Sequence, residues 1–445
     1  MKNSEKKEKR LALPFFIVLA LAAVIALILP LRPEVSERER RSLTPFPAFT
    51  WESFWRGDYL RDVGLWYSDT FPGRDEWLAG AGALQNLRGI TDTAVNLDML
   101  RPGREDSTDL DALLSAPSDP PVPEVTAPPA ATPAPTEEPW AGFGPEEERE
   151  LYGASILIDG GVFTRLGFDQ TAADNHIRMV SAFADALAAE GIRFFDLPVP
   201  TGAGVLLSPE LSAELGCADQ GKILAYLFSR TGENVIGVDA LGELLAHNRE
   251  YLYFRSDHHW TALGAWYAYD AFCAAAGWKS VPLTEYTGAD MGTYTGSFYL
   301  TLGQNAALRP DTVMAFVPPG NITMDIPGST DPRNGTWGPV VDYSAEPENM
   351  KYLCFIAGDH PVTVLTNHDL PDGPDCVVLK DSFANPFVIY LTEHYRTVHV
   401  LDYRSFRTSV RSYALEAGAE DVILCQDISI SQSLPPQTLL PANLQ

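Results

Sequence analysis

Cys376-Val377-Val378-Leu379-Lys380-Asp381-Ser382-Phe383-Ala384-Asn385-Pro386 changes character midway. Cys376 to Leu379 is a short apolar run of the kind that forms a buried strand. Lys380-Asp381-Ser382 ends it. Asn385 is a good N-cap and Pro386 a good first helical residue, so the pattern predicts a helix over 386–395. Ser382 then sits where a strand turns into a helix, at the carboxyl edge of a sheet. Open α/β sheets bind ligands at that edge, and helix N-terminal amides there can hold a developing oxyanion. Taken alone, the same turn also reads as an ordinary strand-to-helix junction that happens to contain a serine.

Working outward, strands and helices alternate. Ala172 to Glu190 carries Ile177, Val180, Phe183, Ala184 and Leu187 on one helical face, and Gly191 ends it. Arg193 to Val199 reads as a strand, Gly221 to Arg230 as a helix and Asn234 to Asp239 as a strand. Thr261 caps a helix running to Ala275. Val398 to Leu401 and Val422 to Cys425 complete the strand series. This alternation argues for a three-layer α/β fold with a mostly parallel sheet. Residues 282–361 are rich in Gly, Thr and Pro and read as loops or a small β insertion. No internal repeat is visible.

Upstream lies Ser256-Asp257-His258-His259-Trp260-Thr261-Ala262-Leu263-Gly264-Ala265. Asp257 and His259 are two apart, so an extended backbone points both to one side and His258 to the other. A carboxylate beside an imidazole fixes its tautomer and stabilises the imidazolium. The pair lacks only a nucleophile, and Ser382 is the candidate. His258 and Trp260 read as supporting residues. Two other readings are open. The segment can be a helix N-terminus in which Asp257 and the histidines only cap and pack. It can also bind metal, since Asp-His-His supplies plausible ligands. Phosphoesterases named for that motif use further aspartates upstream; no matching motif occurs here, and no metal or other cofactor is expected.

The 445 residues carry a formal charge of −27, with 45% hydrophobic residues to build a core. Such a charge repels phosphate polymers, which excludes nucleic acid as an expected partner. The five cysteines have no metal-type spacing and read as buried thiols, a disulfide between two of them being the alternative.

Residues 11–31 are almost wholly apolar and long enough to cross a bilayer as a helix. Lys2, Lys6, Lys7, Lys9 and Arg10 precede them, which puts residues 1–10 in the cytoplasm and the remainder outside. A cleaved signal peptide is the competing reading, but Ala20-Leu21-Ala22 falls inside the apolar run. Residues 32–101 form a juxtamembrane segment whose aromatic residues are expected to pack on the main domain. Residues 102–149, rich in Pro, Ala and Thr, bury too little apolar surface to offset ordering and read as a disordered insertion. The main domain spans 150–430, followed by a tail over 431–445.

Several blocks in order resemble the DHHW protein family of bacterial cell envelopes. They are Glu39-Arg40-Arg41-Ser42-Leu43, Asp69-Thr70-Phe71-Pro72-Gly73-Arg74, Pro198-Val199-Pro200-Thr201, Ser256 to Ala265, Lys380 to Asn385, and Val400-Leu401-Asp402-Tyr403-Arg404. That family resembles the SGNH hydrolase-like domain of alginate O-acetyltransferase accessory proteins. The resemblance implies an SGNH-type (flavodoxin-like) three-layer fold and a catalytic triad of Asp257, His259 and Ser382. It implies an extracytoplasmic O-acetyltransferase acting on a cell-surface polysaccharide, supplied by a membrane-bound O-acyltransferase partner. The Ser382 amide would supply part of an oxyanion hole, with Asn385 as a second donor. A carbohydrate acetylesterase and a catalytically silent envelope scaffold or glycan-binding protein are the other readings. The sequence departs from the pattern at Arg40, where the family has Asn, and at Lys380, where SGNH enzymes have Gly.

Overall fold

The strand predicted around Val377 belongs to a seven-stranded sheet. The computed structural model describes residues 142–302, 305, 307–329 and 338–432, together with 35–36, 41–42, 46, 49, 51, 59, 63, 66, 67, 70 and 110. The sheet strands are β1 (Arg193–Val199), β2 (Val235–Gly237), β3 (Ile322–Asp325), β4 (Val362–Asn367), β5 (Asp375–Lys380), β6 (Thr397–Asp402) and β7 (Asp421–Asp427). Their order is β3-β4-β6-β5-β7-β1-β2. From β6 to β2 every neighbouring pair is parallel; β4 and β3 extend the sheet antiparallel at one edge. The chain is therefore mixed α/β with a mostly parallel sheet.

Alternate strand residues enter two cores, as buried parallel strands require. Phe195, Leu197, Val378, Val400 and Ile423 join one core with helices α2 (Ala262–Ala276) and α3 (Ala384–Leu391). Phe194, Val377, Leu379, Leu401 and Val422 join the other, with α1 (Gln170–Ala188) and α4 (Val410–Ala417). Helices thus cover both faces. Asp169 caps α1 by accepting from the Ala172 amide at 2.8 Å. Gly191, at φ 81°, turns the chain from α1 into β1, a conformation that L-residues with side chains rarely adopt.

A three-stranded antiparallel meander over residues 149–164 precedes α1, and short helices at Gly202–Leu206, Pro209–Glu214 and Ala240–Ala246 fill the crossovers. The stretch 282–361 contains an antiparallel pair, Thr287–Tyr294 with Asp311–Val317, and supplies β3. The core reaches back to Phe143, inside the stretch expected to be an insertion, and forward to buried Ser431. Leu110 also packs against it. All five cysteines are free thiols.

The chain divides into two compact units, residues 1–94 and 95–445. In the first, Val35–Ser36 pairs with Arg41–Ser42, and Phe46 meets Trp66 edge to face. The predicted tail 1–10, the apolar stretch 11–31, Arg40, most of 102–149 and residues beyond 432 lie outside the described residues. No helix among the described residues is long and apolar enough to cross a membrane.

Two local expectations are corrected. Asn385 does not cap a helix: α3 begins at Ala384 and ends at Leu391, short of Tyr395. The turn is tightened by Asp381, whose Oδ1 accepts from the Phe383 amide at 2.9 Å, so the helix starts early. Residues 255–259 form a bend rather than an extended strand.

Candidate active site

β5 delivers Ser382 to the carboxyl edge of the sheet two residues beyond its last strand residue. Asp381 anchors that turn. Its Oδ1 takes the Phe383 amide and its Oδ2 takes the Asp427 amide at 2.8 Å, tying the end of β5 to the end of β7. The hydroxyl of Tyr352 donates to the Ser382 carbonyl at 2.8 Å. Trp260 is fully buried, and its Nε1 donates to the Phe383 carbonyl at 2.7 Å, pinning the start of α2 to the serine turn.

The bend at 255–259 brings the Asp-His segment to this turn. His259 Nε2 lies 2.7 Å from Ser382 Oγ, and His259 Nδ1 lies 2.5 Å from Asp257 Oδ1. Asp257 Oδ1 also accepts the His259 amide at 3.0 Å, an Asx turn that sets the two side chains face to face. Asp257 Oδ2 accepts the Tyr294 hydroxyl at 2.9 Å and the Ser297 amide at 2.7 Å. Four donors therefore aim this carboxylate. As an ionised carboxylate only accepts, Nδ1 of the neutral ring must carry the proton. Nε2 is then the lone pair facing the Ser382 hydroxyl. Such a relay can take the serine proton as the oxygen attacks an electrophile. The Ser382 amide has no acceptor among the described residues, so it is available to a developing oxyanion.

Tyr352 packs flat on the His259 ring, centroids 4.2 Å apart at 16°, with Phe383 on a tilt at 4.9 Å. His259 itself is 6% exposed. Gly296 allows this closeness: a Cβ there would stand 2.3 Å from the Asp257 Cβ, so a side chain would push Ser297 off the carboxylate. Beneath the bend, Asp311 accepts the amides of Arg255 at 2.9 Å and Ser256 at 2.8 Å. Burial pushes the Asp311 carboxyl above its ordinary range.

Of the residues singled out in the sequence, Asp257, His259 and Ser382 converge, and Trp260 supports the turn. His258 does not point away from its neighbours, because the backbone bends: its ring lies 3.8 Å from that of His259 and its Nδ1 is 3.0 Å from Ser297 Oγ. The Asn385 side chain is engaged elsewhere. Its Oδ1 accepts from Lys380 Nζ at 2.7 Å and its Nδ2 donates to Asp359 at 3.0 Å, inside a buried ionic cluster. Tyr294, Gly296, Ser297, Asp311 and Tyr352 all come from the stretch that read as irregular, and no spacing in it marks them.

Ligand atoms of Asp257, His258 and His259 lie within 4.8 Å of one another, which is compatible with a metal. Yet each Asp257 oxygen already accepts two hydrogen bonds, and both His259 nitrogens are engaged. A cation would have to break the relay.

Two further carboxyls stand near the imidazole. Burial raises the Asp381 carboxyl above its ordinary range. Burial, with the Asp381 charge adding to it, pushes Asp427 up to about 6.

A family model described as "DHHW protein" matches residues 39–113 and 147–401. Among curated proteins none matches the chain. Among solved structures, a DHHW family protein from Eubacterium siraeum is 23% identical, with a TM-score of 0.60 over 66% of this chain and 97% of that one. Bacillus cereus PatB1 with a sulfonyl adduct is 17% identical, TM-score 0.52, over 65% and 98%. The O-acetyltransferase domain of Pseudomonas putida AlgJ is 16% identical, TM-score 0.39, over 66% and 99%. The first two are similar to the chain in fold; the third score is too low to carry a shared fold.

Proposed function

Since the chain belongs to the DHHW protein family, we propose that it is a membrane-anchored, extracytoplasmic O-acetyltransferase of SGNH hydrolase-like fold, acting on a cell-surface polysaccharide. The observation that carries the reading is the relay itself. Ser382 and His259 meet at 2.7 Å although 123 residues separate them, and Asp257 backs the imidazole at 2.5 Å.

In the first step Ser382 Oγ attacks the carbonyl carbon of an acyl donor, and its proton passes to His259 Nε2. Asp257 stabilises the imidazolium, and the Ser382 amide faces the oxyanion. Collapse expels the donor's leaving group, which takes the proton from His259. In the second step a sugar hydroxyl gives its proton to His259 and attacks the acyl-serine. The ester moves to the sugar, and Ser382 recovers its proton. Water in place of the sugar gives an esterase. A membrane-bound O-acyltransferase is the partner that supplies acetyl groups. Residues 11–31 hold the protein to the membrane, with the N-terminus inside and the main domain outside.

The purified protein offered a chromogenic acetyl ester should turn it over. Ser382→Ala and His259→Ala should each lower the rate by about a thousandfold or more. If the wild type shows neither turnover nor an acetylated Ser382 by mass spectrometry, the enzyme reading fails and a silent envelope scaffold replaces it. Added oligosaccharide should capture acetyl groups faster than acetate is released; release alone makes the protein an esterase.

A further inference from the structure

Tyr352 touches both ends of the serine–histidine contact at once. Its ring lies flat on the His259 imidazole, centroids 4.2 Å apart at 16°. Its hydroxyl donates to the Ser382 carbonyl at 2.8 Å, where the Asn385 amide is the other donor at 3.3 Å. Phe383 and His258 also border the imidazole, but their rings are tilted to it by 57° and 37°. Burial pushes the Tyr352 phenol well above its ordinary range, so the hydroxyl keeps the proton that it donates.

Holding Tyr352 there is costly. It belongs to the tight helical segment Glu348–Cys354. The preceding Lys351 is 4% exposed, and its Nζ donates to the carbonyls of Tyr343 at 2.9 Å and Ser344 at 2.6 Å. A buried ammonium is expensive even when it is hydrogen-bonded. Two positions past the segment, three successive residues have positive φ: Ile356 at 49°, Ala357 at 57° and Gly358 at 89°. For a β-branched residue that conformation is a genuine outlier. Such strain persists where the surrounding packing over-determines it, and it clusters at functional sites. The Ile356 amide donates to the Pro339 carbonyl at 2.8 Å and ties this turn down.

The placement has a chemical use. The face of an aromatic ring carries negative potential and attracts a cation stacked on it. A neutral imidazole gains little from that face; an imidazolium gains more. In both steps of acyl transfer His259 becomes an imidazolium, so the ring favours the charged state over the resting one. The hydroxyl meanwhile fixes the peptide that carries the nucleophile.

We propose that Tyr352 is a positioning residue for the acyl transfer, its ring face supporting the His259 imidazolium and its hydroxyl holding the Ser382 carbonyl. The gain in rate rests on the acyl-transfer reading; the support of the imidazolium does not. Other charges act on the same ring. Asp257 is bonded to Nδ1, His258 lies 3.8 Å away, and the carboxyls of Asp381 and Asp427 feel the imidazole charge. Tyr294 bonds to Asp257 behind it. A change at position 352 that keeps the shape of the ring leaves all of these in place.

An NMR titration of the full-length protein in detergent, with isotope-labelled histidine, tests the proposal; the signal missing from His259→Ala identifies the ring. Two variants are compared, Tyr352→Phe and a trifluorinated phenylalanine at the same position, which keeps the ring but withdraws most of its negative face. Tyr352→Phe should leave the His259 midpoint in place and lower kcat on the chromogenic ester about fivefold, with KM unchanged. The trifluorinated ring should lower the midpoint by about half a pH unit or more relative to Tyr352→Phe. Equal midpoints in the two variants overturn the role of the ring, and an unchanged kcat in Tyr352→Phe overturns that of the hydroxyl. If the wild type turns nothing over while the midpoint still moves, the function proposed above fails and the hydroxyl's part falls with it, but the ring's support of the imidazolium stands. Turnover with an unmoved midpoint does the reverse.

Discussion

His259 has two ring nitrogens with unlike neighbours, a carboxylate at 2.5 Å and a hydroxyl at 2.7 Å, and that inequality gives the site a direction for its proton. Asp427, close to the imidazole, is a residue whose charge is hard to keep. Its carboxyl titrates at about 6 in the folded chain against an ordinary 3.8. A raised folded value means stability that is fully present below the unfolded value and is lost as pH rises through about 6. Asn does not titrate and escapes this loss. The stability of Asp427→Asn relative to wild type should therefore grow by up to about 3 kcal/mol between pH 4 and pH 7. Urea midpoints at the two pH values measure it; a difference that stays constant with pH would show that Asp427 is not held in a charge-hostile place. In sequence, Asp257, His259 and Ser382 were legible because residue type and motif order mark them. Tyr294, Ser297 and Tyr352 were not, since what selects them is a hydroxyl or amide arriving from a distant turn.

At the scale of elements, the carboxyl ends of β5 and β6 are clamped by an ionic cluster. Lys380 Nζ, fully buried, reaches Asp359 at 2.5 Å and Asp402 at 3.3 Å, and Arg404 pairs with Asp359 at 2.8 Å. Although burial opposes it, the charges of Arg404 and Lys380 hold the Asp359 carboxyl well below its ordinary range. Removing one member of such a cluster leaves buried charge uncompensated. Lys380→Met should cost about 3–5 kcal/mol, read as a lowered urea midpoint; an unchanged midpoint would mean that the cluster contributes nothing to holding the strand ends. The sequence showed Lys380 only as a missing glycine. Its partners at 359 and 402 are too far along the chain for any local spacing to reveal. The same cluster explains why Asn385 is not a cap: Lys380 draws its side chain inward. By contrast, β1 was predicted to the residue, and Thr261 caps α2 as expected, accepting from the Gly264 amide at 3.3 Å. Both signals are local and need no partner.

For the whole molecule, residues 11–31 are the one long apolar stretch near the N-terminus, and the anchoring we propose depends on them. Deleting residues 1–31 should move the protein from the membrane to the soluble fraction, as fractionation of cells would read; continued sedimentation with membranes would end that proposal. The parallel strand order also bears on biosynthesis. Among the described residues β7 is the last strand, yet it lies between β5 and β1, completing both cores. A nascent polypeptide cannot close this sheet until its final strand has left the ribosome and, if anchored as proposed, crossed the bilayer. Until then β1 and β5 present unpaired edges, which makes the half-emerged chain a client for chaperones on the outer side.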